Sequence, residues 1–425
     1  RWTHVGTVYF KGYFILESGN SHRVYRGEDA CKEIGGITNY DDFIEFLKSM
    51  YGCWALIVER TDCVWAAVDI ARSMPLYYSA SGEFISDSAE IIRQNLRVDR
   101  EDVDRNAVLE LFTNNYLCGD RTVYDQIKQL DLGEAMEVLS GDISRRRYFY
   151  HQNKIDGDNV QMLRKKIETA SLSAFQRLKM VIGNRPVVLS MSGGYDSRFV
   201  GCMLKKVGVE DVLCYTYGKQ TSFEVIQSRK NAKALGFRWT CVEMTDELQK
   251  RNLDEVGQRY FDSYSGHDFT AYMQNFTAVR KLQEDGWIKP DSVFLTGLCG
   301  DMPTGEYIAP YNPDKTYDLS AAVDDLYNSF HSKIQGDRHY QTYIKDSLKT
   351  FLNELPVQIV DYSTWQSAID CYQTGTSHSH WFMHMNSVHS FFGYEWLLPY
   401  WDKELLLAWY SVPPKLKYKQ KFYED

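Results

Sequence analysis

The sequence lacks a hydrophobic run long enough to cross a membrane and lacks the excess of basic residues that nucleic-acid binding requires. No apolar stretch approaches the roughly 18 uninterrupted residues of a membrane-spanning helix. The formal net charge is −9, and phosphate backbones are bound by clusters of Lys and Arg. No internal repeat, low-complexity tract or signal peptide is recognisable. We therefore expect a cytoplasmic globular protein with no nucleic-acid partner and no membrane span.

Paired cysteines are also lacking. The nine cysteines are scattered, and none forms a C-x-x-C pair. In a long chain without a secretion signal, this pattern predicts reduced thiols, most of them in the core. A disulfide between Cys53 and Cys63 is the alternative, and it is disfavoured on the same grounds.

The length of 425 residues exceeds one ordinary core and predicts two domains. Before residue 150 the pattern is β-rich, and a polar stretch at 151–159 is the candidate linker. We expect one domain at 1–150 and a second at 151–425. In the first domain, an amphipathic helix is predicted over residues 41–50. Short strands are predicted over residues 7–16, 53–59, 64–69 and 76–79.

The hydrophobic pattern changes after the candidate linker. One apolar face of a long helix is formed by Leu163, Ile167, Leu172, Phe175 and Leu178. Apolar strands are predicted over residues 187–189, 212–216 and 293–296, and they alternate with helical stretches. This α/β alternation predicts a parallel sheet covered on both faces. Beyond about residue 316 the pattern is mostly helical.

The loop after the first of these strands carries the most informative motif, Ser192-Gly193-Gly194-Tyr195-Asp196-Ser197. Two adjacent glycines let the backbone approach a ligand closely, and successive N–H groups at the start of a helix bind anions. Asp196 suits a Mg²⁺ ion that bridges phosphates. An ordinary Gly-Gly turn is the less favoured interpretation, and the Gly-Lys-Ser/Thr of a Walker loop is missing.

This motif resembles the pyrophosphate loop of the N-type ATP pyrophosphatases, which cleave ATP to AMP and pyrophosphate on a doubly wound sheet. Within that superfamily the sequence is similar to the asparagine synthetase group. The group's second motif, S-G-x-G-x-D-E-x-x-x-G-Y, is matched in length by residues 296–307, with Met302 where the family has Glu. The resemblance implies ATP and Mg²⁺ as cofactors, with Asp196 and Asp301 as the metal ligands.

The resemblance also implies the residues of an ATP site. They are Leu189, Ser190, Ser192, Gly193, Gly194, Asp196, Ser197, Tyr215, Gly218, Thr296 and Gly297.

Three catalytic candidates follow from the same resemblance. Glu395 lies in residues 392–402, which resemble the family's E-x-R-x-P-F-x-D segment, and would accept a proton from the amine. Lys421 lies in the closing segment and would stabilise charge on the reacting phosphoryl group. Tyr362 would pair with Glu395, as in the β-lactam-forming branch. An ion pair for Glu395 and a solvated side chain for Lys421 are the structural alternatives.

The first domain resembles the glutaminase domain of the same family, a β-rich sandwich of the N-terminal-nucleophile (Ntn) hydrolase type. Residues 69–78 and 86–90 carry the likeness. The family's glutamine-holding motifs N-G-x-I-x-N and R-G-P-D are absent, and residue one is Arg1 rather than the cysteine nucleophile. We expect a degenerate glutaminase domain.

These features predict an ATP-dependent ligase that forms an amide through an acyl-adenylate. A sugar uronic acid or another small carboxylate is the expected substrate. Aspartate is disfavoured because the family's Arg-Asp pair has no counterpart in residues 384–392. Ammonia, an amine or a partner glutaminase would supply the nitrogen. The alternative is an intramolecular cyclase of the β-lactam-synthetase or lasso-peptide type.

Two other hypotheses are disfavoured. A decayed synthetase conflicts with the intact loop motif, and an RNA-modifying enzyme conflicts with the net charge of −9. His378, His380, His384 and His389 invite a metal interpretation, but the surrounding aromatic residues favour packing.

The degenerate first domain leads to a direct expectation. Incubated with labelled glutamine, ATP and Mg²⁺, the purified chain should release no glutamate, because Ntn-type hydrolysis needs a cysteine whose own α-amine acts as base. Glutamate release in step with turnover would contradict the degenerate interpretation.

Overall fold

The computed structural model describes residues 1–18, 21–264, 267–334 and 336–424. Its strands are β1 Thr3–Val5, β2 Val8–Ser18, β3 Ser21–Arg26, β4 Tyr51–Glu59, β5 Cys63–Val68, β6 Tyr77–Ser79, β7 Ile85–Ser86, β8 Ile127–Gln129, β9 Glu134–Leu139, β10 Asp142–Arg147, β11 Val187–Ser190, β12 Val212–Gly218, β13 Arg238–Glu243, β14 Val293–Leu295 and β15 Glu395–Leu397.

The α-helices are α1 Gly27–Gly35, α2 Tyr40–Ser49, α3 Ala89–Leu96, α4 Arg105–Asn114, α5 Val160–Ile182, α6 Tyr195–Lys206, α7 Phe223–Leu235, α8 Asp246–Lys250, α9 Glu255–Tyr264, α10 Gln274–Glu284, α11 Asp301–Thr304, α12 Leu319–Leu326, α13 Arg338–Asn353, α14 Tyr362–Gln373, α15 Ser387–Phe391, α16 Lys403–Tyr410, α17 Pro414–Lys417 and α18 Lys421–Glu424. Wider π-helical turns occur at Tyr327–His331 and Thr374–Phe382. Short 3₁₀ turns occur at Arg251–Leu253, Met383–Asn386, Pro399–Trp401 and Tyr418–Gln420.

The first part of the chain forms a seven-stranded antiparallel sheet in the order β1-β2-β4-β5-β9-β10, with β3 also paired to β2. Helices α1 and α2 bury apolar side chains such as Ile34 and Phe43 in the core with the sheet. A small sheet, β7-β6-β8, contributes Tyr78 to a second cluster with residues of β4, β5 and β9. The β-rich prediction is confirmed, and so is the helix predicted at 41–50.

The second part contains a five-stranded parallel sheet in the order β13-β12-β11-β14-β15. Strands β12 and β13 lie on one side of β11, and β14 and β15 lie on the other. This reversal is the topology of a doubly wound sheet, and ligands bind where the loops on either side of the reversal leave the carboxyl ends of the strands. The three strands predicted from the sequence, now β11, β12 and β14, are confirmed.

A fully buried arginine joins the two parts. The guanidinium of Arg72 donates hydrogen bonds to the Leu130 carbonyl at 3.1 Å and to Asp268 Oδ2 at 2.9 Å. The Arg72 and Asp268 side chains are both 0% exposed. Asp268 lies between α9 and α10, so the ion pair ties the antiparallel part to the parallel part. The Tyr77 hydroxyl also donates to Asp268, at 2.8 Å, so the buried carboxylate has two partners from the first part of the chain.

The polar stretch 151–159 has no helix or strand, but it is anchored at its start. His151 is buried, with Nε2 2.6 Å from the Ile70 carbonyl oxygen and Nδ1 2.9 Å from the Tyr410 hydroxyl. Since a carbonyl only accepts, Nε2 carries the hydrogen and Nδ1 accepts from Tyr410. The first residue of the linker is therefore packed between the two parts of the chain. A domain boundary near residue 150 remains a prediction.

All nine cysteines lie among the described residues and are free, so the alternative disulfide between Cys53 and Cys63 is wrong. In the part of the chain that the structure describes, no helix combines the length and apolar character needed to cross a membrane.

Arg177, on α5, holds a second buried charge network. Its guanidinium binds both carboxylate oxygens of Asp402 at 2.8 and 2.7 Å, and it also contacts Glu404 at 2.8 Å and Glu17 at 3.3 Å. The Arg177 side chain is 3% exposed and Asp402 is 9% exposed. The network fixes α5 to the first turn of α16 and to β2.

We expect Arg177→Met to lower the free energy of unfolding by about 3–5 kcal/mol, because it leaves the buried Asp402 carboxylate without its partner. Urea denaturation followed by circular dichroism measures the change. Arg238→Met is the control: it breaks an exposed pair with Asp211 and should cost at most about 1 kcal/mol. Equal losses in the two variants would contradict the assignment.

Candidate functional site

Two loops meet at the point where the strand order reverses. Residues 191–194 connect β11 to α6, and residues 296–300 connect β14 to α11. A Cβ atom on Gly297 would lie 2.6 Å from the Ser197 backbone nitrogen, and one on Gly300 would lie 2.7 Å from Asp196 Cγ. Only glycine therefore allows the second loop to pack directly on the first.

The amide groups of the first loop are directed at oxygen atoms. Ser192 N donates to Ser197 Oγ at 3.0 Å, and Gly194 N donates to Ser192 Oγ at 3.1 Å. Gly193 N donates to a carboxylate oxygen of Glu224, at 2.7 Å, from the first turn of α7. A loop whose backbone N–H donates to one anionic oxygen, beside the start of a helix, has the geometry suited to binding an anion.

Two carboxylates stand beside this loop. Burial raises the pKa of Asp196 to about 6, and the charge of Asp301 adds to the shift. Asp196 Oδ1 is buried and has no hydrogen-bond partner among the described residues. Asp301 Oδ2 accepts a hydrogen bond from the Tyr307 hydroxyl at 2.6 Å. Two adjacent carboxylates, one with an unpaired buried oxygen, are suited to a divalent cation.

Within the described ranges, no group of three or more His, Cys, Asp or Glu side chains is arranged to hold a metal. A cation between Asp196 and Asp301 would therefore complete its coordination with substrate oxygens or water, which is the usual situation of Mg²⁺.

Tyr400 and Tyr423 lie next to Asp196, and neither was predicted from the sequence as a site residue. The Tyr400 hydroxyl lies 3.3 Å from the Asp196 carbonyl oxygen and 2.7 Å from the Tyr423 hydroxyl. Tyr400 lies in the 3₁₀ turn Pro399–Trp401, shortly after the carboxyl end of β15 and so at the same edge of the sheet as the two loops. Recognition of β15 in the sequence would have pointed to it.

The other residues predicted for the ATP site divide into two groups. Ser190 and Gly218 end β11 and β12 at the loop edge, and the buried Thr296 hydroxyl has no hydrogen-bond partner in the described chain. Leu189 and Tyr215 are fully buried, and the Tyr215 hydroxyl donates to Asn275 at 3.0 Å. Both of these side chains belong to the core, so they position the edge without facing a ligand.

Comparison with family models decides the classification. Residues 177–423 match the model of asparagine synthase, and residues 41–149 match that of a glutamine amidotransferase domain. The chain belongs to the asparagine synthase family. The resemblance seen in the sequence is thereby confirmed. The match supports ATP-dependent, amide-forming ligase chemistry in general terms.

Other comparisons add little to the assignment to the asparagine synthase family. No curated protein matches the chain. Among solved structures, one match is the allosteric regulatory enzyme of purine biosynthesis, at 11% identity and a TM-score of 0.22, covering 77% of this chain and 58% of that one. Another is glutamine phosphoribosylpyrophosphate amidotransferase from B. subtilis with ADP and GMP, at 9% identity and a TM-score of 0.23, covering 79% and 75%. These TM-scores are too low to support a conclusion.

Glu395 does not lie at the loop edge, and its predicted role as the proton acceptor needs correction. It begins β15 opposite Val293, the first residue of β14, so it lies at the amino ends of the strands. Its carboxylate pairs with Arg26 at 2.8 Å and with Arg185. At this position of the motif, Glu395 therefore forms ion pairs, one of them with the first part of the chain. This is the structural alternative given in the sequence analysis.

Tyr362 and Lys421 also stand apart from Glu395. The Tyr362 hydroxyl donates to the Ala309 carbonyl at 2.6 Å, and its ring packs with Tyr311 and Tyr317. The predicted dyad of Tyr362 and Glu395 is therefore not formed. Lys421 is exposed at the start of α18, the helix that also carries Tyr423.

The four histidines do not converge on one point. His384 stacks on Phe269 at 3.9 Å, and His389 stacks on Phe294 at 4.0 Å. His380 lies 3.8 Å from Asp131. His378 packs against Tyr307, with ring centroids 5.5 Å apart. Each of the four rings thus has its own neighbours among the described residues.

The contact between Glu224 and Gly193 generates a prediction. An anion that binds the loop must displace the Glu224 carboxylate, so Glu224→Gln should tighten the binding of magnesium pyrophosphate several-fold. Isothermal titration calorimetry measures the affinity. Glu210→Gln removes the same charge at the opposite edge of the sheet, just before β12, and should leave the affinity unchanged. Weaker binding by the Glu224 variant would show that the carboxylate assists the anion.

Proposed function

We propose that this chain is an AMP-forming ligase that activates a small carboxylate as its adenylate and transfers the acyl group to nitrogen. The observation that carries the proposal is the packing of the S-G-G-Y-D-S motif against the loop that leads into Asp301, at the point where the strand order reverses. An anion site beside two carboxylates fits magnesium pyrophosphate as the leaving group of an adenylation.

Each part of the site has a role in this proposal. The amides of Ser192, Gly193 and Gly194, with the Ser197 hydroxyl, bind the pyrophosphate oxygens. Asp196 and Asp301 would hold Mg²⁺, which neutralises the leaving group. Thr296 and Gly297 border the nucleotide from the second loop, and the ends of β11 and β12 border the adenine. Lys421 is proposed to reach the α-phosphoryl group from α18.

The proposal extends to the substrates and to the division of the chain. A sugar uronic acid is a suitable acid, and the nitrogen comes from ammonia, an amine or a partner glutaminase. We assign residues 1–150 to a degenerate glutaminase domain, because the glutamine-holding motifs are absent, and residues 151–425 to the synthetase domain. The cytoplasm, where ATP is abundant, is the proposed location. The cyclase alternative receives no support from Tyr362 and Glu395, which have separate partners.

The decisive experiment is ATP–pyrophosphate exchange with a panel of carboxylates, followed by identification of the nucleotide product. Turnover should yield AMP and pyrophosphate. Detection of ADP and phosphate would contradict adenylation.

Asp196→Asn and Asp301→Asn should each lower the exchange rate by about 10²–10³, the scale expected when a group that stabilises developing charge is removed. Asp158→Asn is the matched control, because Asp158 is exposed and pairs only loosely, at 3.6 Å, with Lys415. Exchange near the wild-type rate in either site variant would overturn the metal assignment.

A further inference from the structure

His378 lies in a widened stretch of helix close to the two carboxylates. It belongs to the π-helical segment Thr374–Phe382, which continues α14. Such segments are rare and often occur at functional sites. The side chain is 2% exposed, so its polar atoms need partners within the protein or in a ligand.

One ring nitrogen of His378 has its partner and the other does not. Nδ1 lies 3.0 Å from the Gln373 carbonyl oxygen, which can only accept, so Nδ1 carries the hydrogen. Ser377 Oγ, 3.3 Å from Nδ1, does not change this assignment. In the neutral ring, Nε2 is then a hydrogen-bond acceptor. It is buried, and no described residue donates to it.

The position of the ring relates this acceptor to the proposed active site. The ring lies against Tyr307, whose hydroxyl binds Asp301, so one aromatic ring separates His378 from the carboxylate pair. Phe382 covers another side, with ring centroids 5.2 Å apart. Asp196 Oδ1 and Thr296 Oγ1, at the same edge of the sheet, are likewise buried without partners.

The reactants differ in whether they carry a hydrogen-bond donor for Nε2 of His378. The phosphates of ATP and an ionised carboxylate present only acceptor oxygens, so they cannot satisfy Nε2. The adenine and the ribose do carry donors, but the proposed nucleotide site extends from β11 towards β12. His378 lies instead on the side of Asp301, which follows β14, and β14 is on the other side of β11 from β12. The donors that remain are the hydroxyl or ammonium groups of particular acids and the N–H groups of the nitrogen nucleophile, and of these only the nucleophile takes part in the transfer whichever acid is used.

We propose that Nε2 of His378 binds the nitrogen nucleophile by accepting a hydrogen bond from its N–H group, and so orients the nitrogen lone pair towards the acyl-adenylate. This inference rests on the proposed ligase function. In the transfer, the lone pair forms the C–N bond, the C–O bond to the phosphate breaks with its electrons leaving on AMP, and the nitrogen loses one proton to water. His378 is a binding and positioning residue in this scheme.

The test separates adenylation from nitrogen transfer. ATP–pyrophosphate exchange reports adenylation without an amine, and hydroxamate formation with hydroxylamine as the probe reports transfer. The acid is whichever of D-glucuronate, D-galacturonate and L-aspartate supports exchange best. His378→Leu should keep exchange near the wild-type rate and raise the KM for hydroxylamine about tenfold, the scale of one lost hydrogen bond. His378→Gln, which places an amide oxygen near the position of Nε2, should recover part of the affinity.

His389→Leu is the matched control. His389 is also buried with unpartnered ring nitrogens, but it stacks on Phe294. The control should leave the KM for hydroxylamine unchanged.

Three outcomes would overturn the inference. An unchanged KM in His378→Leu excludes binding of the nucleophile. A parallel loss of exchange and hydroxamate in both His378→Leu and His378→Gln, with wild-type melting temperatures, assigns the residue to adenylation. Absence of wild-type exchange with every carboxylate of the panel contradicts the ligase function and this inference with it. If His378→Leu does not fold, His378→Gln decides: a KM for hydroxylamine moderately above the wild-type value, with exchange intact, supports the proposal, and an unchanged KM overturns it.

Discussion

The proposed chemistry depends on the place where the strand order of the parallel sheet reverses. Because β14 and β12 are the two neighbours of β11, the loops after β11 and β14 leave adjacent parallel strands at the carboxyl edge of the sheet, where such sheets bind their ligands. The glycines of the second loop let it touch the first, and this contact sets Asp301 beside Asp196. Strand order and these glycines together thus bring two carboxylates next to a row of amides.

This arrangement explains why the loop motif could be recognised from the sequence. The S-G-G-Y-D-S motif combines a buried strand, two glycines and the start of a helix in consecutive residues, so its structure is determined locally. The strands with strong apolar patterns were predictable for the same reason. In contrast, β10 has the sequence DISRRR and is mostly exposed, and it is a strand only because β9 pairs with it.

Residues whose role depends on distant partners could not be predicted. Glu395 matches a motif position, but a motif does not say which end of a three-residue strand faces the site. That end is set by pairing with β14 and by Arg26 and Arg185. The histidines show the same limit, since four similar residues in one segment have different partners. Only the fold distinguishes His378, near Asp301, from His389 under the sheet.

The buried pair of Arg72 and Asp268 has a consequence for how such a protein can evolve. Arg72 comes from the part of the chain that resembles a glutaminase, while Asp268 belongs to the part that carries the pyrophosphate loop. Deletion of the first part would remove Arg72 and Tyr77, which both bind the Asp268 carboxylate. A part of the chain held in this way contributes to the packing of its neighbour whether or not it keeps a chemistry of its own, and selection on that packing is enough to retain it.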